Sequence, residues 1–506
     1  MTSSQNTIDP RTPILVGQAQ VAQHIDDFNN AAGPLELMSR AVTQAFDDAG
    51  VSNVGTKNGP RIDALRVVRS LSTRSVNPAH DIASMLGISA NEYGLTPHGG
   101  SMPQYLVNAA ALQIRDGGAQ LIVLTGGESF RSRRRARAAQ VTLPWMEAQD
   151  GQDFQVPTAV GEDLALFHEI ELAHKIMWPI EIYPMFETAL RFRDKRTVAD
   201  HQQYISELWA RFSDVAAANP HAWIQQSYTA LAIRTPTSDN RMIGFPYTKL
   251  MNANNDVDMA AALVMCSVER AESLGIARDK WIFLHAATDC HEHNFVSHRD
   301  TFTDTPAIRI GGQRVLALAE KSIDEIENLD LYSCFPSAVQ LGAESLGVAL
   351  DRQLTCTGGL SFAGGPFNNY VMHAIATTMT TLRKKPQETG LVWANGGFAT
   401  KHAFGVYATT PPRHGFRHES PQNEVDALPQ RAVATALEAQ GVATIEAYSV
   451  MHDRNGSVEK VRAAVLLADG RRAWATSDNT QLGQEMCENE WVGKTVTLDQ
   501  TGDISV

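Results

Sequence analysis

The sequence predicts an α/β protein followed by a small β-rich domain. Three observations carry this reading. Short apolar runs alternate with amphipathic stretches, the same scheme recurs in both halves of residues 1–411, and Asn455-Gly456 and Asp469-Gly470 each sit between strand-like runs near the end. At roughly 100–200 residues per domain, 506 residues make about three domain-sized units. A hydrophobic fraction of 43% lets them bury large cores.

The elements follow in order. Ile14–Val16 reads as a strand, and Leu35–Ala49 as an amphipathic helix stopped by Gly50. Ala64–Val68 reads as a strand and Gln104–Arg115 as a helix of small and apolar residues suited to full burial. Leu121–Leu124 is a continuous apolar run, as a buried parallel strand requires. From about 128 to 249 the alternation is suspended, which reads as an insertion. It resumes with a helix at Val257–Ala271, a strand at Trp281–His285, a helix at Arg314–Lys321 and a strand at Leu329–Tyr332. Pro336–Leu346, Asn368–Leu382, Leu391–Ala394 and Phe404–Ala408 continue it. An internal duplication accounts for the repeat. Residues 412–424 read as a linker, Ala432–Ala439 as a short helix, and 493–498 as a closing strand. The expected division is 1–256, 257–411 and a β-rich unit at 412–506.

Composition excludes several functions. Lys+Arg total 43 against 56 Asp+Glu, a net charge of −13. No nucleic-acid or anionic-membrane partner is expected, and an anionic ligand must meet a local basic site. The last unit also holds more acids than bases, which argues against single-stranded nucleic acid. Met1–Arg11 is polar and lacks the pattern of a signal peptide, and no run of about 18 apolar residues is present to span a membrane. The five cysteines (Cys266, Cys290, Cys334, Cys356, Cys487) have no CxxC spacing, which fits free thiols in the cytoplasm. No GxGxxG or Walker A pattern points to NAD or ATP.

Four segments resemble loops of the thiolase superfamily. Residues 99–129, from Gly99-Gly100-Ser101-Met102-Pro103 to Gly126-Gly127-Glu128-Ser129, look like the nucleophile loop, its buried helix and the next strand. Residues 328–340, with Tyr332-Ser333-Cys334-Phe335-Pro336, look like the loop written Asn-Glu-Ala-Phe or His-Asp-Cys-Phe. Residues 357–366 resemble the Gly-His-Pro loop, and 391–398 the final Cys-x-Gly loop. With the extra C-terminal unit, the pattern is similar to mycobacterial-type (type 1) thiolase-like proteins, often labelled acetyl-CoA acetyltransferases. The resemblance implies duplicated βαβαβαββ halves in a five-layered αβαβα fold, an inserted loop domain, and an OB-like C-terminal domain. It also implies an acyl-CoA thioester as ligand, with coenzyme A as part of the substrate and no other cofactor, in a monomer or homodimer.

All four loops depart from the family's chemistry. The nucleophilic cysteine falls on Gly100, the thioester-binding Asn or His on Tyr332, the Gly-His-Pro histidine on Gly365, and the last cysteine on Asn395. A cysteine acyl-enzyme is therefore unavailable at these positions. The resemblance implies carbon–carbon bond chemistry or acyl transfer on the thioester by another route, or a catalytically inactive acyl-CoA-binding scaffold. Thiolase-like aldolases of steroid side-chain breakdown also lack the cysteine, use tyrosines on β-hydroxyacyl-CoA and work with a separate OB-fold partner. Tyr332 is accordingly a candidate to hold or deprotonate a β-oxygen, or a packing residue.

Asp289, His291 and His293 alternate after a strand, so an extended backbone puts them on one side. They read as acid/base or positioning groups, or as a solvated polar loop; His-x-His lacks further spaced metal ligands, so no metal is expected. His402 is a further candidate base or a buttress. Asn395, Ser101 and the backbone near Gly100, Gly365 and Gly396 are candidates to orient the thioester. Arg131, Arg133 and Arg134 belong to a run of five arginines in 131–137, suited to CoA phosphates or to a solvated helix face.

Overall fold

A computed structural model describes residues 8–147 and 155–505. Residues 1–7 of the polar N-terminal stretch lie outside the described residues.

The expected duplication is visible in the strand order. In the first half, Ile62–Val67, Leu121–Ser129, Asp258–Ser267 and Pro13–Ala22 lie side by side. In the second, Asn328–Leu331, Thr389–Gly396, Lys401–Ala408 and Ile282–His291 repeat that order. The pairing senses also repeat: one parallel pair, then two antiparallel pairs. The halves meet where Ile14 and Leu15 pair with Phe283 and Ile282, so the combined order reads as a palindrome about that seam. The first half adds Ala90–Leu95 and Thr158–Ala159 beyond Ile62–Val67.

Helices Met102–Arg115 and Tyr370–Lys384 occupy matching places in the two halves and pack on each other and on strands of both. Val107, Ala110, Ala111 and Ile114 of one, and Val371, Ala374 and Ile375 of the other, are fully buried. This central layer explains why their sequences are apolar and small on nearly every face. Outer helices Pro34–Ala49, Pro306–Ala319 and Pro336–Leu346 cover the far sides.

Three sequence expectations change. Val257–Ala271 is not one helix: Asp258–Ser267 is a strand, and only Val268–Ser273 is helical. Its alanine-rich run suits a helix by propensity, but pairing on both edges with Pro13–Ala22 and Leu121–Ser129 overrides that preference. Ala432–Ala439 forms a turn, with a single bridge at Val433. The supposed linker contributes a strand, Arg417–Glu419, parallel to Ile282–His291, and the helix Gln422–Asp426.

The C-terminal unit is a five-stranded barrel. Gly441–His452, Val458–Leu467 and Arg472–Ser477 form two hairpins at the turns expected from Asn455-Gly456 and Asp469-Gly470. Thr495–Leu498 returns to the first strand, Ile504–Ser505 pairs with it, and a parallel bridge from Thr476 to Asp503 closes the ring. Helix Thr480–Glu488 lies between the third and fourth strands. This is the OB order of strands.

The barrel is fastened to the inserted segment. Inserted strand Met242–Phe245 pairs with Val450 and Met451 of the barrel. Thr188, on inserted helix Pro179–Arg193, donates to the Tyr448 carbonyl at 2.9 Å and accepts from its amide at 3.1 Å. Buried Arg191 donates twice to Glu490, and to the Tyr448 hydroxyl at 2.7 Å. From the barrel side, Arg472 pairs with Glu446 and donates to the carbonyls of Ser297 and Arg299. Removing a fully buried partner strands the other charge, so Arg472→Ala is expected to cost about 3–5 kcal/mol. Limited proteolysis should then release the barrel region faster than in the unaltered protein, and unchanged cleavage would show that Arg472 is not a fastening.

Candidate active site

The loops at the ends of these strands enclose a pocket of about 550 Å³. Its wall is apolar: Leu166, Phe167, Ile180, Phe335, Leu360 and Phe398 contribute. Its chemistry comes from His98, Tyr183, Tyr332, Cys334 and Asn395, with Gly99, Gly100, Gly396 and Gly397 as bare backbone.

The central contact is between Tyr332 and Gly100. A Cβ at position 100 would overlap the Tyr332 hydroxyl, lie 2.5 Å from the Asn395 carbonyl and 2.8 Å from Tyr332 Cζ. The phenol thus stands where a side chain at 100 would point. The ring packs edge-on against Tyr370 at 5.8 Å. Tyr370 is fixed by hydrogen bonds with Thr357 at 2.6 Å and Asp330 at 3.1 Å. Buried Asp330 also accepts from Thr355 and the Cys356 amide, while burial raises its carboxyl to about pH 6. The Tyr332 hydroxyl itself makes no hydrogen bond among the described residues. Burial raises it far above the usual phenol range, so it stays protonated and serves as a donor.

A second feature lies beside Gly396. A Cβ there would sit 3.1 Å from the Gly100 amide nitrogen, 3.2 Å from that of Ser101 and 3.0 Å from Ser101 Oγ. Neither amide has an acceptor among the described residues, and Ser101 Oγ is buried without a partner. The Gly100 and Ser101 amide nitrogens and Ser101 Oγ therefore cluster against Gly396 at the start of the 14-residue helix Met102–Arg115. Such a cluster of donors at a helix N-terminus suits a developing negative charge.

Two pocket groups escaped the sequence reading. His98 projects into the pocket. The orientation of Asn368 follows from its Oδ1, which accepts from the Gly99 amide at 3.0 Å. Its Nδ2 then faces His98 Nδ1 at 3.3 Å, which leaves the imidazole proton on Nε2. Burial and then Arg69 lower the His98 pKa, so it is a neutral donor at pH 7. Tyr183, from the insertion, stacks on Phe335 at 4.6 Å and accepts from Asn395 Nδ2 at 2.9 Å and the Ala399 amide at 3.0 Å. Asn395 Oδ1 is left buried and unpartnered. His98 stands directly before the Gly99-Gly100-Ser101 loop, a position that signals it, whereas Tyr183 lies in a stretch with no chemical motif and proximity in the fold alone brings it here. Cys334 lines the pocket too, but burial pushes its thiol up to about 12.

Other expected site residues are not brought together. Asp289 accepts from His418 at 2.6 Å, the His291 amide donates to Gln422, and His293 Nδ1 meets Gln430 at 3.1 Å. These three anchor the segment leading to the barrel and do not line the pocket. Gly365 stands outside it as well, with Asn255 between: a Cβ at 365 would lie 3.1 Å from Asn255 Oδ1. His402 is buried, pairs in register with Asn395 and accepts from Trp393 Nε1 at 3.3 Å. It is a buttress, not a base. Arg134 is committed to Asp256. Arg131 lies 3.7 Å from the same Asp256 and over Trp223 at 5.8 Å, while Arg133 donates to the carbonyl of pocket residue Leu71 and stands beside the pocket. Among the described residues no group of His, Cys, Asp and Glu is placed to hold a metal ion, and no helix is long and apolar enough to cross a membrane.

Residues 421–503 match the family model of the thiolase-like protein type 1 additional C-terminal domain. No curated protein matches the chain. Among solved structures, a monomeric SCP2-thiolase like protein type 1 from Mycobacterium smegmatis is similar over 99% of this chain and 100% of that one, at 29% identity and a TM-score of 0.83. An Ltp2-ChsH2(DUF35) aldolase is similar over 79% of this chain and 98% of that one, at 19% identity and a TM-score of 0.59. Human mitochondrial 3-ketoacyl-CoA thiolase is similar over 79% of this chain and 100% of that one, at 15% identity and a TM-score of 0.56. The last two show a shared fold.

Two outcomes are expected. Gly100→Cys collides with the Tyr332 hydroxyl and lowers stability by about 1–3 kcal/mol; its melting temperature falls, and intact-mass measurement with acyl-CoA shows no acyl-enzyme. Burial depresses His402 to about pH 3 in the folded chain, below its unfolded value of 6.5. The unfolded chain therefore binds more protons between those limits, and stability is lost as pH falls through them, by up to about 1.4 kcal/mol per pH unit from this one group. Stability measured against pH should fall less steeply in His402→Gln than in the unaltered chain.

Proposed function

We propose, for a chain that is a thiolase-like protein of type 1 with the additional C-terminal domain, an enzyme that makes or breaks the carbon–carbon bond beside an acyl-CoA thioester without an acyl-enzyme. One observation carries this reading. The unpartnered Tyr332 hydroxyl occupies the place of a nucleophile at position 100, close to the donors clustered against Gly396, namely the Gly100 and Ser101 amides and the unpartnered Ser101 Oγ.

The thioester oxygen would face this cluster of donors, where the Gly100 and Ser101 amides and Ser101 Oγ hold charge as it develops. Loss of an α-proton, or retro-aldol cleavage of a β-hydroxyacyl-CoA, places an enolate there. In bond formation the enolate carbon adds to a carbonyl, and the Tyr332 hydroxyl gives its proton to the new alkoxide while its oxygen takes up the α-proton, so the phenol ends as it began. Cleavage runs the same path backwards. His98 Nε2–H is a second neutral donor facing the reacting groups, while the Tyr183–Asn395 pair fixes the far wall. Coenzyme A enters as part of the substrate, with Arg131 and Arg133 as phosphate partners and no further cofactor. Phosphate suits arginine because two N–H groups can bond at once. A net charge of −13 favours this small-molecule role in the cytoplasm over nucleic-acid or membrane binding, and the residues named here all belong to one chain.

A second reading, a silent acyl-CoA-binding scaffold, has one observation in its favour. Burial holds Tyr332 firmly protonated, so no strong base lines the pocket. Incubating the protein with a panel of acyl-CoA and 3-hydroxyacyl-CoA thioesters, read by mass spectrometry, separates the two. The enzyme reading expects cleavage or condensation of at least one thioester, slowed about 10²–10³-fold by Tyr332→Phe. Binding without any turnover leaves the scaffold, and equal rates with Tyr332→Phe remove the tyrosine from the chemistry.

A further inference from the structure

Lys401 begins the strand Lys401–Ala408, one turn of chain beyond the pocket loop at Gly396–Phe398. It is 5% exposed. Lysines are seldom buried without a carboxylate partner, because an ammonium out of water is costly unless something offsets it. Here no ion pair offsets it among the described residues. Its hydrogen bond goes to the His98 carbonyl, and Asp163 is the acid it feels at longer range.

The position of this ammonium is informative. A Cβ at Gly99 would lie 2.9 Å from Lys401 Nζ and 3.4 Å from Ser101 Oγ. Gly99 is itself part of the pocket wall. The ammonium and the unpartnered hydroxyl thus share one bare glycine as neighbour, and that hydroxyl also belongs to the donor cluster against Gly396. A buried cation stands close to that cluster. It lies beside the N-terminus of helix Met102–Arg115, where a positive charge opposes the helix dipole. Nothing in the folding of this loop calls for a charge there, since a neutral donor would hold the His98 carbonyl equally well.

We propose that Lys401 is an electrostatic positioning residue, whose charge makes the donor cluster at Gly100, Ser101 and Gly396 selective for a thioester oxygen that is becoming negative. It acts through the loop and does not touch the substrate. The inference rests on the acyl-CoA reading above and adds a residue that the loop motifs do not contain. Charge in a water-poor site acts strongly on an oxyanion and weakly on a neutral carbonyl, so it affects enolate formation and not ground-state binding.

The test separates those two quantities. Exchange of α-protons for deuterium in butyryl-CoA, followed by NMR, reports enolate formation without any carbon–carbon step. Calorimetric titration gives the affinity for the same thioester. Lys401→Met is expected to slow exchange by about 100-fold or more, the size of an oxyanion-hole deletion, with affinity nearly unchanged. Lys401→Arg keeps the charge and should recover much of the rate. Exchange in Lys401→Met at the unaltered rate overturns the proposal. So does a parallel loss of affinity and exchange in both variants, which marks a purely structural lysine. If Lys401→Met does not fold, Lys401→Arg decides: folded with near-normal exchange supports the charge, folded without exchange refutes it. If the unaltered protein binds butyryl-CoA but exchanges no proton, the enzyme reading itself fails and this inference falls with it.

Discussion

Two groups cannot share the space above position 100. The Tyr332 phenol takes it, so the backbone there must carry no side chain. This exclusion organises the site. It leaves position 100 without a nucleophile, and it leaves the Gly100 amide nitrogen bare beside that of Ser101, close to Gly396. It also demands that Tyr332 be held, because a ring able to swing would close the pocket. Tyr370, Asp330 and Thr357 do that work from beneath, through an edge-on ring contact and a buried carboxylate that ties two loops together. Asp330 carries the cost of a buried acid, and the Thr355 and Tyr370 hydroxyls with the Cys356 and Thr357 amides offset it by donating to its carboxylate.

The other wall depends on the barrel. Tyr183 and Ile180 reach the pocket from helix Pro179–Arg193, and that helix is bracketed by Tyr448, Glu490 and an inserted strand joined to the barrel sheet. Loosening the barrel would loosen Tyr183, and with it the hydrogen bond that fixes Asn395. The C-terminal unit thus belongs to the active-site scaffold. Its OB order of strands serves a docking role, with Arg472 buried among core carbonyls where a ligand-binding barrel would present an open face.

Much of the fold was legible because strand and helix periods differ and the two halves repeat them. The failure at 257–271 has a clear cause: a run of alanine, leucine and methionine buried on both faces has no period, and its partners lie more than a hundred residues away for one strand and over two hundred for the other. Tyr332, Gly100, Ser101, Gly396 and Asn395 could be placed because they lie on loops with recognisable spacing. Asp289, His291 and His293 misled because adjacency in sequence does not say which side of a strand is wet. Their side of the strand is covered by 417–430, a stretch whose composition reads as a linker. Tyr183 carries no local signal, since only the closing of distant loops on the pocket gives it a role.

Charge completes the account. The chain is strongly acidic overall, yet the pocket end collects Lys401 and Arg69 near His98 and Arg133 beside Leu71. Their separate partners are mostly backbone carbonyls: Thr96 for Arg69, Leu71 for Arg133 and His98 for Lys401. A carbonyl holds a cation in place without neutralising it. Had these groups been paired with carboxylates, as Arg134 is with Asp256, the field at the pocket would vanish while the packing stayed the same. The choice of carbonyl over carboxylate partners therefore keeps positive charge beside the pocket of a negative molecule.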